Sequence, residues 1–562
     1  MFPQYLEDGM SLIQKSANRK FTHSRKVIGI YPIVQFFIEK LNIPQIINRY
    51  FPQDQRMTLS FEKVICVLVH NILGASSPMY EISDWCKRLD EECIGLDDGE
   101  NQHICDDRIG RCLEKFYSGR HKDFFFQLAL RSIKIFKLDC SSLHQDTTTI
   151  TFSGKYESWS ALEMATYGHN KDHRPDLKQI VLGMTVTRDG AVPLHHKVYS
   201  GNQTDDTLHL RNFQKIRNLV QKSDFIYVAD SKLATYQNLT GIHSFGGYFI
   251  SVMPRTWGED GEFREKIKNG DISWRFLLRK KDSEKEETYF FARGEFHAKG
   301  FKVIWIKSSS KATIDTQTRI EKCRRALNDL NALSIKLNKR GLNERSKIKA
   351  QIEKILKTHQ CQELVEFTLK ASREYRRTYC RQGRPGPGNR AQISWKNVFS
   401  LSFGINEEKI KRESLCDGVF PLITNVRDKG PKEILELYKY QPFLEKRHSQ
   451  IKTWQKITPV LLKKDIRVIA YVHMHVLALT ISTLIERTIR QSMKKNDLEN
   501  LPLYPEGHPC SCPTFYDLER LFRDVEKYEV QKGDEVILFP AELRPLQKQI
   551  LGLLGIPISA YQ

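Results

Sequence analysis

Asp146 stands among Thr147, Thr148 and Thr149 in the run His144–Ser153, whose β-branched residues read as a strand. A carboxylate in the middle of a buried strand is costly unless it is paired or bound to metal. Asp230 closes the apolar run Phe225–Ala229, at the place where an α/β sheet presents ligand-binding groups beyond its strands. Taken singly, each aspartate reads better as a turn or helix cap. The third element is more specific. Gln441, Glu445 and Lys452 follow Tyr438 at offsets of 3, 7 and 14. At about 100° per residue, the four fall within a roughly 60° arc of one helix face. A tyrosine, an amide, a carboxylate and a lysine on one stripe suit the wall of a polar site better than a hydrophobic core face. An amphipathic helix with an incidental i,i+7 alignment is the alternative.

These residues need elements to position them, and the chain changes texture around each. Residues 1–135 read as mostly helical. Phe61–Leu73 carries apolar residues at helical spacing behind a Ser60 N-cap, and Cys105–Tyr117 reads as another capped helix, its Asp106 and Asp107 serving the cap rather than a metal. From Leu143 strands take over, at 144–153, 179–187 and 192–199. A helix at 207–221 then leads into the strand that ends at Asp230, and a further strand follows at 248–253. That alternation predicts a mixed α/β sheet. Residues 256–415 break the pattern with short β-like pieces, a charged helical hairpin over 314–358 turned near Gly341, and a Gly/Pro-rich basic loop, Arg381–Arg390. A strand at 418–425 and long helices at 431–456 and 465–495 resume the α/β texture. The tail, 501–562, carries a helix at 514–527 and an amphipathic segment at 541–554.

The 562 residues hold 88 Lys and Arg against 67 Asp and Glu, a net charge of +21. Residues 301–400 alone hold 23 basic against 8 acidic side chains, so most of the excess sits in under a fifth of the chain. A segment this one-sided reads either as a solvated hairpin or, more plausibly, as a surface that faces phosphates. The N-terminus lacks a basic stretch followed by an apolar one, so no secretory signal is expected. The longest apolar run, Val468–Ile485, is interrupted by His473 and His475, which favours a buried helix over a membrane span. Twelve cysteines without a repeated CxxC spacing predict a reduced, cytoplasmic protein, and His508, Cys510 and Cys512 lack the second ligand pair a zinc site needs.

With the strand aspartate followed by threonines, the aspartate closing a second strand and the Tyr438/Gln441/Glu445/Lys452 helix, the chain resembles the DDE transposases of bacterial insertion sequences. It is similar to the superfamily named for insertion sequence four, and in local text to its branch numbered sixteen thirty-four. The phrases that carry this are Tyr167-Gly-His-Asn-Lys-Asp-His-Arg-Pro-Asp-Leu-Lys-Gln179, Ser200-Gly-Asn-Gln-Thr-Asp205 and Asp417-Gly-Val-Phe-Pro-Leu-Ile-Thr-Asn425. The resemblance runs to about residue 495. One position departs from it: Gln441 stands where the four-residue pattern has arginine, which removes a charge-assisted contact to phosphate.

The resemblance implies a ribonuclease H-like catalytic core at 136–255 and 416–500, interrupted by a basic insertion domain at 256–415. A helical N-terminal domain, 1–135, would bind DNA ends, and a helical C-terminal region, 501–562, would serve oligomerisation. It implies divalent-metal-dependent phosphodiester cleavage and strand transfer at element ends. Asp146, Asp230 and Glu445 would be both the catalytic residues and the ligands of two Mg²⁺ or Mn²⁺ ions. Tyr438, Gln441 and Lys452 would hold DNA phosphates, with Lys171, His173, Arg174 and Lys178 along the same groove. Trp274, Trp305 and Trp395 are candidates to stack on an unpaired base. The expected partners are double-stranded DNA, as terminal inverted repeats and target, and a second copy of the chain in a homodimeric DNA complex. The expected location is the nucleoid of a bacterial cytoplasm, without a membrane. A transposase-derived DNA-binding protein that no longer cuts, or a nuclease that cuts without joining, are the competing readings.

Overall fold

The computed structural model describes residues 21–53, 57–152, 164–168, 176–203, 207–282, 285–293, 300–339, 341–379, 391–458, 462, 464–532 and 535–562. The chain divides into two compact units, residues 1–250 with 436–562, and residues 251–435.

The first unit begins with β1 (Phe21–Val27) and six helices: α1 (Tyr31–Lys40), α2 (Ile43–Tyr50), α3 (Phe61–Gly74), α4 (Ile82–Lys87), α5 (Asp106–Ser118) and α6 (His121–Phe136). Strands β2 (Ser142–Phe152), β3 (Lys178–Thr187) and β4 (Pro193–Ser200) follow, then α7 (His209–Val220), β5 (Ile226–Val228), α8 (Tyr236–Ser244) and β6 (Tyr248–Val252). The strands lie in the order β4-β3-β2-β5-β6. The first three are antiparallel, whereas β5 runs parallel to β2 and β6 parallel to β5.

The second unit contains α9 (Gly258–Lys268), β7 (Arg275–Asp282), β8 (Lys285–Arg293), β9 (Lys302–Ser308), α10 (Ser309–Ser334), α11 (Arg345–Thr358), β10 (Val365–Tyr379), β11 (Ala391–Ile405), α12 (Glu407–Ser414) and β12 (Val419–Thr424). Strands β12, β9, β8 and β7 pair in that order, all antiparallel. The charged hairpin exists as α10 and α11, closed by Cys323, Ala326 and Leu330 against Ile348, Ile352 and Leu356. The sequence reading missed one element entirely. β10 and β11 form a two-stranded ribbon, fifteen residues on each side. Its base alternates, with Val365, Phe367, Leu369, Phe399, Leu401 and Phe403 packed on the hairpin core, but most of its length is solvent-exposed and carries no such pattern.

After α13 (Pro431–Tyr438) the chain returns to the first unit with α14 (Gln441–Ser449), a π-helical turn (Gln450–Trp454), α15 (Asp465–Lys495), α16 (Phe515–Phe522), β13 (Glu526–Lys532), β14 (Glu535–Phe539) and α17 (Pro545–Leu554). The long helix predicted over 431–456 is therefore broken. Pro442 lies in the first turn of α14, where its missing N–H is harmless, but a proline further inside a helix would remove a hydrogen bond and clash.

Helix α15 explains the apolar run. Length and composition would let it span a membrane, yet 94 % of its most apolar stretch is buried inside the protein. Val468, Val472, Val476 and Leu479 join Leu444 and Ile451 against Ile150, Ile180, Leu182 and Met184 of the sheet. Helices α14 and α15 are also locked by charge. Arg447 Nη1 donates to Glu486 Oε2 at 2.7 Å, and Arg447 Nη2 donates to the Gly190 carbonyl at 2.8 Å. Glu486 additionally accepts from the Phe515 N–H at 3.0 Å. Its side chain is only 1 % exposed, so Glu486→Ala strands a buried guanidinium. The variant is expected to lose about 3–5 kcal/mol of stability in a urea titration.

Candidate functional site

The register between β2 and β5 pairs Ser142 with Ile226, Leu143 with Tyr227 and His144 with Val228. The pairing ends there, and Asp146 and Asp230 each follow the last pair by two residues, Asp146 still on β2 and Asp230 just beyond the end of β5. Asp146 is one of the two half-open positions in a strand otherwise buried along its length. Asp230 caps the short 3₁₀ turn Ser231–Leu233, accepting from the Lys232 N–H at 3.1 Å, which fixes its carboxylate at the end of β5.

Helix α14 lies against β2 and brings the third carboxylate. Asp146, Thr147 and Thr148 of the strand, and Glu445, His448, Ser449 and Lys452 of the following segment, line one cleft of about 370 Å³. The Tyr438 phenol is the common neighbour. Burial, then the charges of Asp230, Glu445 and Asp146 in that order, push its pKa up to about 12. One phenol thus feels all three carboxylates. Lys452 reaches the cleft from the π-helical turn, a local widening that recurs at functional positions.

His448, absent from the sequence reading, is a further member. Its Nδ1 lies 3.6 Å from Asp146 Oδ2, with the imidazole 7 % and the carboxylate 16 % exposed. Its Nε2 is buried with no hydrogen-bond partner among the described residues. The signal was present: His448 sits ten residues after Tyr438, on the same helical stripe as Glu445 and Lys452.

Gln441 departs from expectation. It is buried, its Nε2 donates to the Gln145 carbonyl at 3.0 Å, and its Oε1 lies 3.2 Å from His144 Nδ1. These bonds direct the amide at the strand that carries Asp146 rather than at a phosphate in the groove. A planar amide with one donor end and one acceptor end suits that brace. Gln441→Ala leaves the Gln145 carbonyl and His144 Nδ1 without this partner, and is expected to destabilise the protein by about 1–3 kcal/mol. Thermal melting with and without the substitution checks this.

Lys178 opens β3 opposite Phe152. Lys171, His173 and Arg174 lie outside the described residues. Of the tryptophans, Trp305 is 2 % exposed and stacks on Phe263 at 3.9 Å, so it is a core residue and cannot receive a base. Trp274 lies under the Lys307 ammonium, 5.7 Å from the ring centroid. Trp395 is 67 % exposed on β11 and meets Tyr375 edge-on at 6.0 Å.

Among the described residues, no three His, Cys, Asp or Glu side chains stand in one metal-ligating cluster. The three carboxylates share a neighbour without sharing a coordination sphere. Asp146 and Glu445 line the same cleft, where like charges repel and a cation between them would remove that repulsion. Carboxylate oxygens are the donors that Mg²⁺ and Mn²⁺ prefer, so the donor set fits such ions.

Residues 23–130 match a protein family described as a domain of unknown function, DUF4277. Among solved structures, the chain resembles the piggyBac transposase in its synaptic complex with hairpin DNA. That likeness has 8 % sequence identity and a TM-score of 0.40, over 87 % of this chain and 78 % of the other. No curated protein matches the sequence.

Proposed function

We propose that the chain is a DDE-type DNA transposase, cutting and joining DNA at element ends with Asp146, Asp230 and Glu445 as its catalytic carboxylates. The observation that carries this reading is the position of Tyr438 within the field of all three, from segments far apart in sequence. An antiparallel trio continued by two parallel strands, with Asp146 on the first strand of the trio and Asp230 closing the first parallel one, supports a ribonuclease H-like core. The basic stretch between Asp230 and Glu445 supports a phosphate-facing insertion.

Asp146, Asp230 and Glu445 would hold the divalent ions. Bound there, the ions would supply an activated oxygen nucleophile and stabilise the leaving oxygen of an in-line displacement. The chain's own residues do the positioning. Gln441 holds the strand beneath Asp146, and the His448 imidazole lies against that carboxylate and limits its rotation. Lys452 and Tyr438 offer a cation and a phenol hydroxyl to phosphate oxygens beside the scissile bond, contacts that hold DNA without reading sequence.

The direct test incubates the purified chain with DNA carrying the inverted repeats that flank its coding region, with Mg²⁺ or Mn²⁺. A nick with a 3′-hydroxyl, and joined product from pre-cleaved ends, are expected. Tight binding without a nick would replace this reading with a silent DNA-binding protein. Nicking without joining would replace it with a nuclease.

A further inference from the structure

A second cavity in the first unit, of about 440 Å³, lies between α6, β4, α7 and α15 and shares no residue with the carboxylate cleft. Its size is ordinary for a small-molecule site. Phe125, Leu194, Leu219 and Ile469 give it apolar walls. Its polar groups divide into two kinds. The imidazoles of His121, His195, His196 and His473 form one. His196 Nε2 lies 2.7 Å from His473 Nδ1, whereas His195 Nε2 is buried with no partner among the described residues.

Lys122, Lys197 and Lys215 form the other kind, all exposed at the mouth. None of the three makes an ion pair among the described residues. Asp123, the carboxylate on the lining, is already held by Arg120 at 2.6 Å. The lysines are close enough to act on one another, since Lys215, Lys122 and Arg211 add to burial in lowering the pKa of Lys197. Three cations held together without an anion are complementary to a bound one.

We infer that this cavity binds a nucleoside monophosphate, with the base against the apolar walls beside His195 and the phosphate on Lys122, Lys197 and Lys215. A flat heterocycle fits apolar walls that carry an unpartnered ring nitrogen, and a phosphate fits a triad of lysines without an ion pair among the described residues. Inorganic phosphate would leave the walls unfilled, and a neutral nucleoside would leave the lysines unneutralised. The inference does not depend on the proposed chemistry of the carboxylate cleft.

The test is calorimetric titration of the full-length chain with AMP, adenosine and inorganic phosphate. Saturable 1:1 binding of AMP is expected, at least tenfold tighter than either fragment. The double variant Lys197→Ala/Lys215→Ala is expected to weaken AMP at least tenfold and leave adenosine unchanged. Its melting temperature should match the parent, because both side chains are exposed. Competition by a single-stranded oligonucleotide distinguishes a nucleotide presented by a strand from a free one. Absence of saturable AMP binding, or an AMP affinity indifferent to the double substitution, would overturn the inference. DNA cleavage by the double variant should equal the parent's, so failure of this site and failure of the transposase reading are separable.

Discussion

Asp146→Asn is expected to lower metal-dependent DNA cleavage by roughly a thousandfold or more, the scale seen when a central electrostatic group is removed from an active site. Asparagine keeps the shape of the side chain and the strand around it, and removes only the charge. Asp146 stands beside His448 by contact and, with Asp230 and Glu445, within the field felt by Tyr438. Its charge is therefore the one that the rest of the cleft is built around. Because Asp146 and Glu445 face one cleft and repel in the absence of a cation, the same substitution is expected to leave the melting temperature unchanged or raise it in EDTA. It is also expected to spare DNA binding. Cleavage and melting measured on one preparation separate the two roles. A variant that melts early and loses cleavage in proportion would make Asp146 a structural residue and remove it from the chemistry.

The second large effect is acid sensitivity. Burial lowers the pKa of His70, His473 and His475 to about 3 and of His195 to about 4, with Lys215 and Lys197 adding to the shift at His195. His473 also faces His121 and Lys122, and His196 is held well below its usual value by burial and by its histidine neighbours. In the unfolded chain these imidazoles take up protons near pH 6.5, before the folded protein can. The unfolded state therefore binds more protons below that pH, and stability falls as pH drops from about 6.5 towards 4. Each group contributes up to about 1.4 kcal/mol per pH unit across that window, which for several groups together rivals the whole stability of a typical domain. Denaturation midpoints measured from pH 8 to pH 5 should fall steeply below 6.5. His473→Phe should flatten the slope, because phenylalanine fills a similar space with nothing to protonate. A flat profile across this range would show that these imidazoles are already accessible to protons in the folded state.

Much of the layout around the candidate site was legible in the sequence because the signals are local. β-Branched runs of strand length gave β2 and β3 within a residue or two, and the apolar periodicity of Asp465–Lys495 gave α15. The stripe of Tyr438, Glu445 and Lys452 pointed to one polar wall, although the helix is broken before Gln441 and widened at Lys452. Pro442 carried the warning of that break, and a stripe count taken across it overlooks the proline. The β10–β11 ribbon left only a short trace, the alternation of Val365, Phe367 and Leu369 and of Phe399, Leu401 and Phe403 at its base, because the rest of its length is exposed and imposes no pattern on its residues.

Gln441 shows the division most clearly. The sequence by itself determined that an amide, not a guanidinium, stands one turn before Glu445. Only the tertiary structure decided that this amide bonds to the backbone and side chain of β2, next to Asp146. In the same way, the sequence placed Asp146 in one strand and Asp230 at the end of another, and no periodicity could relate the two. The parallel pairing of β2 and β5 brings their two chain segments together, and the Tyr438 phenol feels both charges. Strands distant along the chain are aligned by which faces the helices around them bury, and a slip of one residue would turn either aspartate to the opposite face.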